Sequence, residues 1–221
     1  MIVHTLAEEL AAYTHGRVPR ALRERQLLTL AAELFAERGY TGASMDELAS
    51  RAGVSKPVIY DLIGSKEELF RRCSEIAAAD LYDRVASAVA GASGEGGPGD
   101  VSNAEAQLRA GSLAFFTFAA EHRRSWEVLF AGDATFSAEA ERIRSRQTTL
   151  VVALLMSAAQ ELGGRIDEDQ LQATAHTLNG AFEAMANWAY AKPDIPPATL
   201  TEWFVALTLP GLQLLARPEA E

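Results

Sequence analysis

The stretch MDELASRAGVSKPVIYDLIGSKEELF, residues 45–70, decides how this chain is read. Apolar residues at Leu48, Ala52, Val54, Ile59 and Leu62 fit two short helices that meet at a tight turn. Ser44 precedes the first helix with Glu47 three residues on, the pattern of a capping box. Gly53 ends it and accepts the positive φ that such a corner needs. The second helix starts after Ser55, with Pro57 in a first turn that tolerates proline. Ala49 is small where the second helix must cross closely. This is the arrangement of a helix-turn-helix, whose second helix enters the major groove of DNA. An αα-corner buried in any helical bundle has the same spacing, so the pattern alone leaves both readings open.

Outward from this segment the chain reads as helices. Leu27, Leu30, Ala31, Leu34 and Phe35 recur at i, i+3, i+4, i+7, i+8, which predicts an amphipathic helix over 19–38. Pro19 suits its first turn and Gly39 its end. Ser65 and Glu68 form a second capping box, opening a long helix over 66–90. Residues 91–100 read as a loop, followed by helices at about 103–120, 123–131, 137–162, 168–191 and 197–215. Pro210 should kink or interrupt the last. No stretch alternates with period two, so the expected fold is all-α. It comprises a three-helix helix-turn-helix domain and a C-terminal bundle, about nine helices in all. The expected divisions are an N-terminal extension at 1–18, a helix-turn-helix domain at 19–70 and a helical domain at 71–221.

Composition narrows the function. At 221 residues, with 48% hydrophobic and 23% charged residues, the chain is of ordinary globular type. Its one cysteine, Cys73, excludes a disulfide framework and suits a reducing compartment. No apolar run reaches the roughly 18–20 residues that span a bilayer, and residues 1–16 lack the pattern of a signal peptide. The expected location is cytoplasmic, with no membrane partner. The net charge of −10 disfavours nucleic acid, but it is unevenly placed. Residues 1–72 hold ten basic and ten acidic side chains; the remainder holds ten basic and twenty acidic. Only the first third is fit to approach phosphates.

Together with LLTLAAELFAERGYTGASM at 27–45, the segment 45–70 resembles the DNA-binding domain of the tetracycline-repressor (TetR) family. The order Gly39-Tyr40, Ala49, Gly53-Val54-Ser55, Tyr60 and Ser65-Lys66-Glu67 carries the resemblance, over about 50 of the 221 residues. It implies that 56–62 is the recognition helix, with Ser55 among the DNA-binding residues and Lys56, Pro57 and Val58 facing base edges. Tyr60, Lys66 and Ser44 would bind phosphates, and Arg17, Arg20 and Arg23 would touch the backbone or a minor groove. Three positions depart from the family pattern. Asp61 stands where an aromatic or histidine is frequent, Leu62 where a polar or aromatic residue is, and Ile63 in place of Phe. Leu62 and Ile63 read as packing residues, and Asp61 as lying beside the groove. The resemblance further implies that 19–70 binds DNA and that 71–221 binds a ligand and dimerises, giving a homodimer on a double-stranded palindromic operator, released by a small-molecule effector, with repression as the expected outcome. The alternative is a helical interaction or ligand-binding module that does not bind DNA.

Beyond residue 100, Leu171, Ala175, Leu178, Phe182, Met185 and Ala189 step 4-3-4-3-4, and Leu200, Phe204, Leu207, Gly211 and Leu214 step 4-3-4-3. Such seams suit a four-helix bundle shared by two protomers, and equally suit packing within one. The family resemblance assigns Leu171, Leu178, Phe182, Met185, Phe204 and Leu207 to the dimer interface. Aromatic residues concentrate here, at Phe115, Phe116, Phe118, Trp126, Phe130, Phe136, Phe182 and Trp188. Core packing explains each singly; together they suit an apolar ligand site. The expected pocket takes Phe115, Phe118, Trp126, Phe130, Val151 and Phe182, with Gln147 and Asn179 as polar handles and His176 a further one.

Enzyme readings find no support. Gly94, Gly96 and Gly99 spell GxGxxG, but no strand precedes them, as a dinucleotide fingerprint requires. His4, His15, His122 and His176 have no metal-ligand spacing. The sequence thus implies no catalytic constellation, no metal and no cofactor, and Cys73 reads as a small core residue.

Overall fold

A computed structural model describes residues 6–13, 18–92, 101–130, 145, 147–149, 151–156 and 167–215. Among the described residues there are ten helices and no strand. They are α1 (Leu6–Ala11), α2 (Arg20–Gly42), α3 (Met45–Ala52), α4 (Lys56–Leu62), α5 (Lys66–Ala92), α6 (Val101–Glu121), α7 (Arg123–Phe130), α8 (helical at 147–149 and 151–156), α9 (Glu168–Tyr190) and α10 (Pro197–Leu215). Arg17, Phe136, the glycine-rich 94–99 and parts of the expected 137–162 helix lie outside the described residues.

The chain forms two compact units. The first gathers α1 to α4, α5 through Ala77, and α7 from Arg124 onward. It therefore extends past the expected boundary at residue 70 and recovers a later helix. Its core joins Leu27, Ala31, Leu34 and Phe35 of α2 to Leu48, Ile59, Leu69 and Phe70, with Val128 of α7 among them. Trp126, 2% exposed, is in this unit, on α7. Gly39 breaks α2 at φ 67 and ψ 172, a conformation open essentially to glycine. The chain turns there and brings Tyr40 against Phe35 and Phe70, with ring centroids 6.1 and 5.3 Å apart.

Each capping box forms on one side only. Ser44 accepts from the Asp46 amide and Ser65 from the Glu68 amide. Glu47 and Glu68 spend their carboxylates on Arg51 and Arg71 instead. Gly53 sits in the left-handed region at φ 64 and ψ 35, and its amide and that of Val54 return to carbonyls of α3. That corner sets the angle between α3 and α4.

The second unit holds the rest of α5, α6 and α8 to α10. Asp167 caps α9 by accepting from the amides of Asp169 and Gln170. Phe116, Phe204 and Val205 are almost fully buried. Phe182 stacks on Phe204 with centroids 3.8 Å apart, and Phe115 and Phe116 close on it from α6. Arg109 joins α6 to α10 through Glu202 at 2.5 Å. Of the two effects expected of Pro210, a kink or an interruption, the interruption does not occur: α10 continues through it to Leu215.

Candidate nucleic-acid interface and ligand cavity

α4 buries Ile59 and turns Ser55, Pro57, Val58, Tyr60 and Asp61 outward, with Lys56 half-buried. Val58 and Tyr60 keep 38% and 48% of their surface exposed, much for residues with so much apolar area. One wall of this short helix is core and the other is exposed. Ser44 lies at the amino end of α3; its oxygen already accepts from the helix, which leaves its hydroxyl proton for a phosphate.

The basic residues here are tied down. Lys56 Nζ lies 3.0 Å from Asp46 Oδ2, and this hydrogen bond holds the ammonium above the usual lysine range. Lys66 Nζ donates to the Thr41 carbonyl at 3.4 Å and stands 4.6 Å over the Tyr40 ring. Two arginines expected to reach DNA have internal duties. Arg20 pairs with Asp61 and Glu24, and Arg23 donates to Gln26 and to the Ala52 carbonyl at the end of α3. Asp61 is thus occupied by Arg20. Leu62 and Ile63 pack on the core.

In the second unit a cavity of about 160 Å³ opens among α5, α6, α8, α9 and α10. Of the residues expected there, Phe115, Gln147, Val151, Asn179 and Phe182 line it. Phe118 does not: it is 1% exposed, its ring stacked on His122. Trp126, which belongs to the first unit, is not among the described lining residues. Phe130 ends α7, and its side chain lies outside the described residues. Sequence reasoning missed Leu81, Tyr82, Val85 and Val89 of α5 and Gln107 and Gln213. The signal available was the four-residue step of 81, 85 and 89. The described lining carries no charged side chain. Asn179 donates to Thr148 at 3.0 Å, and Ser112 to the Leu108 carbonyl at 2.6 Å.

Half of the expected dimer seam lies inside the protomer. Leu171, Leu178 and Phe204 are buried inside the protomer, and Leu171, Leu178 and Phe182 line the cavity. Met185 is half-buried. Of the six residues only Leu207 stands out, at 71% exposure. Beside it α10 exposes Trp203, Ala206, Gly211 and Leu214, while α9 exposes Ala173, Gly180, Ala184 and Trp188. The rings of Trp188 and Trp203 lie 6.4 Å apart, with Lys192 Nζ 3.7 Å over Trp188. The heptad steps fall partly on the protomer's own core, and apolar residues of α9 and α10 also face outward.

Known proteins match both units. Residues 27–73 match the family described as bacterial regulatory proteins, tetR family, and residues 104–211 the tetracyclin repressor-like C-terminal domain. The HTH-type transcriptional activator FasR of Mycolicibacterium smegmatis is 37% identical over 118 residues, 53% of this chain and 50% of that protein. The chain thus spans about half the length of that curated relative. A TetR-like transcriptional regulator from Rhodococcus sp. RHA1 is 32% identical, with a TM-score of 0.68 covering 89% of this chain and 99% of that one. AibR, solved with isovaleryl coenzyme A and operator DNA, shares the fold at 21% identity and a TM-score of 0.63, covering 85% of this chain and 98% of its own.

Proposed function

This chain belongs to the tetR family of bacterial regulatory proteins, a family of helix-turn-helix transcriptional regulators rather than of enzymes, and on that premise we propose that it is a ligand-responsive repressor. As a homodimer it binds a palindromic operator through α4, and a mainly apolar, uncharged or weakly charged molecule in the cavity releases it. One observation carries this reading. α5 is a single helix that begins at Lys66, beside the groove-facing elements, and carries Leu81, Tyr82, Val85 and Val89 into the cavity wall. A ligand that fits only one tilt of α5 would change the spacing of two recognition helices, which must match successive major grooves about 34–36 Å apart. The uncharged lining selects the ligand: burying an unpaired charge there would cost more than the apolar contacts return.

A thermal-shift screen of apolar small molecules finds the effector, and anisotropy on the selected operator tests it. An effector that favours the DNA-free state must weaken operator binding by the same factor by which DNA weakens its own. Ligands that stabilise the protein and leave operator affinity untouched would remove the sensing claim. A reporter decides the sign: transcription should fall when the protein is supplied, and a rise would place it with the activator its relative is named for.

A further inference from the structure

Two exposed acids stand among the elements assigned to DNA, where bare phosphate attraction would call for none. Asp46, 74% exposed, holds Lys56 at 3.0 Å. Asp61, 77% exposed, holds Arg20 at 3.3 Å, and its carbonyl accepts from the same guanidinium at 3.1 Å. Each takes up a cation that could otherwise seek a phosphate. We propose that Asp46 is a specificity-determining residue that acts through Lys56, restraining its ammonium from phosphates and leaving it to read a base. The inference rests on the DNA-binding reading above.

An unrestrained lysine is a point charge on a flexible stem, and every duplex sequence offers it phosphates. Paired with Asp46, the two side chains have no net charge, so the long-range pull toward the backbone is cancelled. Taking Lys56 to a phosphate would break the pair and leave the Asp46 carboxylate beside like charge. A guanine O6 or N7 is an uncharged acceptor, and the ammonium has three donors. It can therefore bond a base edge while still bonded to Asp46. The pair thus taxes backbone contacts and spares base contacts, which raises the ratio of specific to nonspecific affinity.

The test uses the full chain and two probes: a duplex enriched by the wild-type protein from a random library, and a scrambled duplex of equal length. Affinities are measured over a range of salt concentrations. Asp46→Asn should bind the scrambled duplex about tenfold tighter, and its salt slope should steepen by about one counterion per protomer. Discrimination at the base pair read by Lys56 should fall. Asp46→Glu should keep most of it, and Lys56→Ala should abolish the effect of Asp46→Asn, because the acid acts through the lysine. The inference is overturned if Asp46→Asn leaves both duplexes unchanged, or weakens both equally without altering the slope. It is likewise overturned if its effect persists without Lys56. A wild-type protein that enriches no duplex would have a different signature, and would remove the DNA-binding reading together with this inference.

Discussion

Lys66 shows how a residue can be legible in sequence and still need the structure. Its place after Ser65, at the start of a long helix, marks it for a phosphate, since helix amino termini favour anions. What the sequence does not show is that Tyr40 and the Thr41 carbonyl hold its ammonium in place. On the proposed DNA-binding reading, that restraint would make it a positioning contact that every duplex meets equally. Lys66→Ala should weaken operator and scrambled duplex by the same factor and flatten the salt slope by about one counterion per protomer. Titrations at several salt concentrations check it, and a loss confined to the operator would make Lys66 a base reader. Cys73 was legible as core and proves so. Burial pushes its thiol up to about 12, with its sulfur donating to the Leu28 carbonyl at 3.5 Å. Near neutral pH it presents roughly a thousandfold less thiolate than an ordinary cysteine, since thiolate falls tenfold per unit. The folded protein should therefore be almost inert to thiol reagents, and denaturant should restore labelling. Fast labelling of the native state would mean that Cys73 is open to solvent.

At the scale of elements, the periodicities located the helices and the glycines located their joints, because turn chemistry is local. Gly39 and Gly53 both have positive φ but differ in ψ, 172 against 35. The first conformation is nearly closed to other residues; the second is costly but accessible. Gly53→Ala should cost about 1–2 kcal/mol. Gly39→Ala should cost up to about 3 kcal/mol, since it also displaces Tyr40 from Phe70. Denaturant titrations rank them, and equal losses would contradict the assigned geometry at Gly39. The heptad steps of α9 and α10 leave the partner open because they are a local pattern answering a global question. A seam looks the same whether the facing helix belongs to the same chain or to another. Phe204, fully buried, and Leu207, 71% exposed, lie on the same sequence seam of α10. The better signal was that α10 is apolar nearly all round, which calls for partners on two sides.

For the whole molecule, that second apolar face needs a partner, and the proposed function requires one with two-fold symmetry. On the proposed dimer, small residues on α9 and α10 would let a second copy's helices approach closely, and the exposed Trp188, Trp203 and Leu207 would supply the area. Tryptophans at the centre of an interface commonly carry about 2 kcal/mol or more each. Trp203→Ala with Leu207→Glu should therefore raise the dimer dissociation constant by at least a hundredfold, given tenfold for each 1.4 kcal/mol. Sedimentation should show monomers at concentrations where the wild type is dimeric, with helicity retained. Phe204→Glu should behave differently. It buries an unpaired charge inside the protomer, at a cost of several kcal/mol, and should lose helicity and dimer together. The separated monomers should hold a single half-site at near nonspecific affinity, because two-fold pairing doubles the contacts made on a palindrome. If Trp203→Ala with Leu207→Glu remains a dimer of full helicity, the interface lies on another face, and the outward stripe of α10 serves some other partner.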